Sequence, residues 1–248
     1  MVSHKLSVIM PCYNCGDYIY RNLHEMIRAL NNLKVDYEII VVDDGSSDNT
    51  AKEAKEIKDK RIKVFRYDDN KGKGYALKYG FSKVTGDFIT FIDADLDIHP
   101  RQLKTLIEYM DENNADMVVG SKRHKDSKID YPLKRKILSY FYHLFVKFLF
   151  GLNVKDTQSG FKLFRYECAK TVIPKILVKK FAFDLELLVI ANKYGFKIVE
   201  APIEIKQLFN GSSVGLKAIK NMFQDTLAIA YRLYILKWYD EDHLNGGK

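Results

Sequence analysis

At 248 residues with 47% hydrophobic content, the chain can bury a sizeable core as one large domain or two small ones, which excludes a disordered or fibrous protein. Its formal charge of +8 points to an anionic partner: nucleic acid, a phosphorylated small molecule or an anionic membrane surface. Three cysteines and no leader-like segment before "KLSVIMPCYN" argue against a disulfide framework and a secretory route, so a cytosolic protein is expected, and no apolar run reaches the roughly 18 residues of a spanning helix.

"KLSVIM" and "YEIIVVDD" read as buried strands, and between them Leu23, Met26, Ile27, Leu30 and Leu33 form a helical stripe. A polar helix "NTAKEAKEIKDK", a strand "IKVFRY", a loop "DDNKGKG", a helix "YALKYGFSKV" and a strand "DFITFIDAD" follow. Next come a helix from Pro100 to Asn113 and a strand "DMVVGSKR". This alternation predicts a largely parallel, doubly wound sheet with ligands at the carboxyl ends of its strands. Beyond residue 124 come a basic linker, the apolar "ILSYFYHLFVKFLFGL", a turn-rich "DTQSGFKLF", a helix around "FAFDLELLVIANKYG", a strand "KIVEAPIEI" and a final helix. With no Gly/Ser or Pro-rich linker, residues 1–248 are expected to form one domain whose second half elaborates the sheet.

The strand "DFITFI" runs into three aspartates at alternate positions, Asp93, Asp95 and Asp97. In an extended chain they share a face, where like charges repel unless a cation sits among them, so the spacing points to a metal. A calcium loop would need Gly and Glu where Ile98 and Lys104 stand. A solvated turn with Asp97 capping the next helix accounts for Asp97 but leaves Asp93 and Asp95, at a buried strand's exit, unexplained.

In "VVDDGSSDNT", Asp43 and Asp44 end a strand, Gly45 suits a tight turn, and Ser47 or Asp48 caps the next helix. A carboxylate at that edge can accept from a nucleobase N–H. "NKGKGYA" lacks the third glycine of a dinucleotide fingerprint and the ending of a P-loop. Cys12 and Cys15 form C-x-x-C between strand and helix, the place of a redox pair, although free thiols are the plainer reading.

In order along residues 6–123, "VIMPCYN", "VVDDGSSDNT", "NKGKGYALKYG", "DFITFIDADLD" and "GSKR" resemble the family-2 glycosyltransferases, whose GT-A fold is an α/β nucleotide-sugar-binding sheet with a D-x-D metal site. "DTQSGFKLFR" and "FAFDLELLVIA" extend the resemblance to about residue 235 and narrow it to the dolichyl-phosphate hexosyltransferases, which act with glucose or mannose. It implies an inverting transfer of hexose from UDP-glucose or GDP-mannose to dolichyl or polyprenyl phosphate. Residues 1–124 would then bind the nucleotide sugar, and 125–248 the acceptor and the membrane.

The same resemblance assigns Pro11, Tyr13, Asp43, Asp44 and Lys73 to the donor and gives Asp93 and Asp95 a Mg2+ or Mn2+ ion on its diphosphate. Asp97 stands where mannose synthases carry a metal-binding Gln. It places Arg123 and Arg135 on the acceptor phosphate and Asp184 where related enzymes carry an acid that acts as base or orients the acceptor. Lys206 is the nearest counterpart of a mannose-synthase arginine, and that departure counts against mannose.

A lipid monophosphate is already an anion near neutral pH, its second pKa lying at about 6, so it needs cationic positioning more than a base. Residues 120–136 supply Lys122, Arg123, Lys125, Lys128, Lys134, Arg135 and Lys136 against Asp126 and Asp130, unless this is simply a solvated basic loop. From 133 to 150, Leu133, Ile137, Phe141, Leu144, Phe145 and Phe148 form an apolar face opposite Lys136, Tyr140, His143 and Lys147, which suits either a core helix or an interfacial one. The favoured expectation is peripheral attachment to the cytoplasmic face of a membrane, reversible or through a membrane-protein partner, with the last helix (Leu227, Ile229, Leu233, Leu236) assisting. The alternatives are a family-2 enzyme acting on a glycan hydroxyl, with Asp184 as a true base, and a non-catalytic basic membrane- or nucleic-acid-binding protein. Nucleic acid is disfavoured, because the basic residues interleave with aliphatic runs and no recognition helix or stacking platform is present.

Overall fold

The computed structural model describes residues 4–127, 133–178, 182–204 and 216–240, with side chains outside 133–138 and 216–219. Its first half is the expected alternation. Strand β1 (Lys5–Cys12) leads to helix α1 (Gly16–Leu33), β2 (Asp36–Asp44), α2 (Thr50–Lys55), β3 (Ile62–Tyr67), α3 (Lys73–Phe81), β4 (Phe88–Phe91), α4 (Leu103–Glu112) and β5 (Met117–Ser121). Ile19, Leu23, Met26 and Leu30 carry the apolar stripe of α1 onto one face of the sheet.

The second half supplies α5 (Leu133–Phe150), β6 (Lys162–Arg165), α6 (Tyr166–Val172), α7 (Phe183–Lys193), β7 (Ile198–Pro202) and α8 (Leu216–Tyr234). The seven strands lie in the order β3-β2-β1-β4-β6-β5-β7. The sheet is largely parallel as expected, with one exception that also corrects the turn-rich reading of "DTQSGFKLF". Lys162–Arg165 form a strand that enters between β4 and β5 and runs antiparallel to both. The second half therefore completes the sheet instead of only packing on it.

Apolar clusters fill both faces, one under α1 and α4 and the other under α3, α5, α6 and α7. Strand order reverses at β1, which has β2 on one side and β4 on the other. The crevice at the carboxyl ends of these strands is where a doubly wound sheet takes its ligand.

On α5 the sequence reading is half corrected. Tyr142, Val146 and Phe150 face the core, while Phe141, Leu144 and Phe148 from the expected apolar face are exposed. Helix α8 packs beside α5 through the Tyr142 hydroxyl against Thr226 Oγ1 at 2.9 Å and the Phe145 and Phe223 rings at 5.2 Å. Among the described residues no helix is long and apolar enough to cross a membrane.

Candidate active site

Three segments meet at the switch point. The turn after β2 closes on Gly45, whose φ of +67° suits glycine; a Cβ there would also lie 2.6 Å from the Asn70 amide. Asp43 is fully buried, with Oδ1 accepting from Ser46 N at 3.0 Å. Its Oδ2 has no hydrogen-bond partner and lies 3.4 Å from Arg66 Nη1, so an acceptor beside a guanidinium is available to a ligand. Asp44, expected to share the donor with Asp43, is committed elsewhere. It accepts from the Tyr67 hydroxyl, Lys71 N and Gly72 N at 2.8–2.9 Å and so fixes the loop that delivers Lys73. Burial and Asp44 together push the Tyr67 phenol well above its ordinary range.

Pro11 is half-buried and Tyr13 is exposed on the loop after β1. Asn14 joins that loop to the β2 turn, its amide donating to Ser46 Oγ and its Oδ1 accepting from Ser47 N, both at 2.9 Å. Asn49 takes the cap position of α2, and Asp48 Oδ1 accepts from Thr50 N. Cys12, Cys15 and Cys168 are buried free thiols.

The aspartate segment differs from its sequence reading. Strand β4 stops at Phe91, and Asp93–Leu96 make a turn closed by Leu96 N on Asp93 O at 3.1 Å, with Leu96 at φ +55°. Asp93, Asp95 and Asp97 therefore do not alternate along an extended chain. Asp97 donates its amide to Asp95 Oδ1 at 3.2 Å, while the next helical segment, a 3-10 turn at Pro100–Gln102, is capped by His99. No group of three metal-ligating side chains is assembled among the described residues, so Asp97 does not complete a protein-only cage.

The cation beside these carboxylates is internal. Lys73, the first residue of α3, places Nζ 2.6 Å from Asp93 Oδ1 and 2.8 Å from Oδ2. Burial pushes the Lys73 ammonium down, but the Asp93 and Asp184 charges outweigh it and raise it above its ordinary value. Partial desolvation, joined by the charges of Asp97 and Asp93, pushes the Asp95 carboxyl up. Two crowded hard-oxygen carboxylates on an exposed turn fit a divalent cation whose remaining ligands come from a bound diphosphate. Gly160 borders the same spot; a Cβ there would sit 3.9 Å from both Asp93 Oδ2 and Lys73 Nζ.

Asp184, in the first turn of α7, stands near Lys73 and pairs with a residue the sequence reading passed over. Lys162 is fully buried on β6, its Nζ 2.5 Å from Asp184 Oδ1 and also donating to Ser159 O. Burial pushes this ammonium down, and Asp184 opposes the shift. Arg123, after β5, donates Nη1 to Ser139 O and Lys155 O at 3.2 Å each, which ties it to α5. The Arg135 side chain and Lys206 lie outside the described residues, as do Lys128, Asp130 and the side chains of Leu133, Lys134, Lys136 and Ile137.

The model of the family described as "Glycosyl transferase family 2" matches residues 7–173. Dolichyl-phosphate beta-glucosyltransferase of Dictyostelium discoideum is 32% identical, over 94% of this chain and 76% of the relative. The enzyme of the same name from Saccharomyces cerevisiae is 30% identical, over 96% and 77%. Among solved structures, glucosyl-3-phosphoglycerate synthase from Mycobacterium tuberculosis, in complex with Mn2+, UDP and phosphoglyceric acid, superposes with a TM-score of 0.67 at 20% identity, covering 97% of this chain and 80% of that one. That likeness shows a shared GT-A fold. Matched along most of its length, the chain belongs to glycosyl transferase family 2 and is a glycosyltransferase.

Proposed function

We propose that the protein transfers glucose from a uridine-diphosphate sugar to dolichyl or a related polyprenyl phosphate at the cytoplasmic face of a membrane. The observation that carries this reading is the match to dolichyl-phosphate beta-glucosyltransferases through both halves of the chain. Asp43 Oδ2 and Arg66 form an acceptor–donor pair suited to a nucleobase edge, with the end of β1, Pro11 and Cys12, on the neighbouring strand. Asp93 and Asp95 would hold Mg2+ or Mn2+, and such an ion neutralises the charge on a departing diphosphate. Lys73 adds a positive charge at the same place, and Arg123, at the root of the basic linker and tied to α5, is the described cation assigned to the acceptor phosphate.

The acceptor phosphate brings its own negative oxygen, so the chain has to orient it and keep water away. The exposed aromatic and aliphatic side chains of α5 and α8 are the surface assigned to the lipid interface. Incubating the protein with dolichyl phosphate, Mn2+ or Mg2+ and a panel of radiolabelled nucleotide sugars tests the reading. The expected product is glucosyl phosphoryl dolichol from UDP-glucose; a labelled lipid from GDP-mannose alone, or none with any sugar, overturns it.

A further inference from the structure

A lysine with no exposed surface in the middle of a sheet is costly unless its ammonium is engaged. Lys162 lies on β6 between Phe161 and Leu163, both buried, and its ammonium donates to Ser159 O and to Asp184 Oδ1, the latter at 2.5 Å. It thereby ties the loop before β6 to the first turn of α7 and fixes the spacing of Ser159 and Asp184. Both of these residues keep unused hydrogen-bonding capacity. Ser159 is 1% exposed, and its hydroxyl has no hydrogen-bond partner among the described residues. The Asp184 side chain is 20% exposed; Lys162 engages Oδ1, and Oδ2 receives no hydrogen bond among the described residues.

A buried hydroxyl without a partner is an unfavourable arrangement that a ligand can relieve. Gly160 shows what lies alongside it. A Cβ there would meet, beyond its flanking residues, only Asp93 Oδ2 and Lys73 Nζ, each at 3.9 Å, so this side of the loop is open toward the turn proposed to hold the donor diphosphate. The Ser159 hydroxyl turns about a single bond and no hydrogen bond holds it back.

The cations at this place are already matched, Lys73 by Asp93 and Lys162 by Asp184. A second phosphate would meet a negatively charged oxygen at Asp184, whereas a sugar hydroxyl can donate to that oxygen and can both donate to and accept from the serine. The hexose hangs from the diphosphate, so its ring has to lie beside Asp93 and Lys73, where Ser159 and Asp184 stand. We infer that Ser159 and Asp184 form the subsite that grips hydroxyls of the donor hexose, with Lys162 as the positioning residue that sets their spacing. This inference deepens the proposed function and rests on its nucleotide-sugar donor, not on its lipid acceptor.

Binding of UDP-glucose and of UDP to the intact protein, each with Mn2+ and without acceptor, isolates the contribution of the hexose. Ser159→Ala is expected to lower the ratio of UDP-glucose to UDP affinity by about fivefold or more, and Asp184→Asn by at least as much. Ser159→Ala removes an oxygen that bonds nothing in the free protein, so its Tm without ligand should not fall. A lower Tm would mark the hydroxyl as structural and overturn the subsite.

The Ser159→Ala comparison repeated with deoxy analogues of UDP-glucose, each lacking one hydroxyl, identifies the partner: the loss should vanish for one analogue and persist for the others. An unchanged ratio in Ser159→Ala, or a loss that persists through every analogue, overturns the inference. So does a raised KM for polyprenyl phosphate with the UDP-glucose ratio intact, which would move the serine to the acceptor. If the wild type binds GDP-mannose and not UDP-glucose, the donor proposed above is wrong, and the same ratio taken with GDP-mannose and GDP decides the subsite by itself.

Discussion

Glu38 on β2 is 2% exposed and accepts from Ser7 Oγ, Lys63 Nζ, Thr85 N and Thr85 Oγ1. Burial works to raise its carboxyl, but Lys63, Ser7 and Thr85 overcome it and hold the group at about 2, against an ordinary 4.5. The folded value lies below the unfolded one, so the stabilisation is fully present above pH 4.5 and is lost as pH falls toward 2. It amounts to on the order of 3 kcal/mol. Glu38→Gln should be less stable than wild type by about that amount at pH 7, with the difference closing toward pH 2 in urea titrations. A gap that stays constant across this range would show that the loss is one of packing. Residues of this kind are hard to read in a sequence. Asp43 and Asp44 look equivalent there, yet one keeps an oxygen without a hydrogen bond beside Arg66 and the other is consumed by its own loop. Lys162 resembles any surface lysine until both neighbouring strands are in place.

At the scale of elements, what was legible depended on how strongly the pattern forces one environment. β1, β2 and β4 are apolar runs with few alternatives, and α1 carries a clear stripe. β6 is four residues with a charge at each end, and its place between β4 and β5 comes from long-range pairing that no local pattern records. The D-x-D-x-D spacing suits an extended chain, but β4 ends at Phe91 and Asp93–Leu96 form a turn. Helix α5 is apolar on more than one face, so the sequence could not say which face meets the core. Tyr142, Val146 and Phe150 do so, while Phe148 is 88% and Phe141 63% exposed. Replacing both Leu144 and Phe148 with Glu should abolish sedimentation with anionic liposomes while moving Tm by no more than about 2 °C, since exposed positions contribute little to stability. Retained liposome binding would take α5 out of the membrane interface. Val146→Glu, at a buried position on the same helix, should instead unfold the protein.

At the scale of the whole molecule, the edge on which the candidate site residues gather was legible, because a doubly wound sheet offers its ligand crevice where strand order reverses. Asp43 follows from β2, the Asp93 turn from β4, Tyr13 from β1 and Lys73 from the start of α3, so a donor bound there would contact four elements at once. A ligand that binds only the folded state stabilises it by about 2.7 kcal/mol at a hundred times its Kd, and for a chain of this size each kcal/mol is worth roughly 2–4 °C. UDP with Mn2+ at that excess should therefore raise Tm by about 5–10 °C, with GDP giving a smaller shift if Asp43 and Arg66 match uracil. Adding chelator should remove most of the gain. Asp95→Asn, on an exposed turn, should melt like wild type without ligand yet show little response to Mn2+. An undiminished rise with UDP in excess chelator would mean that Lys73 and the backbone carry the diphosphate alone, and that the two aspartates serve some other purpose.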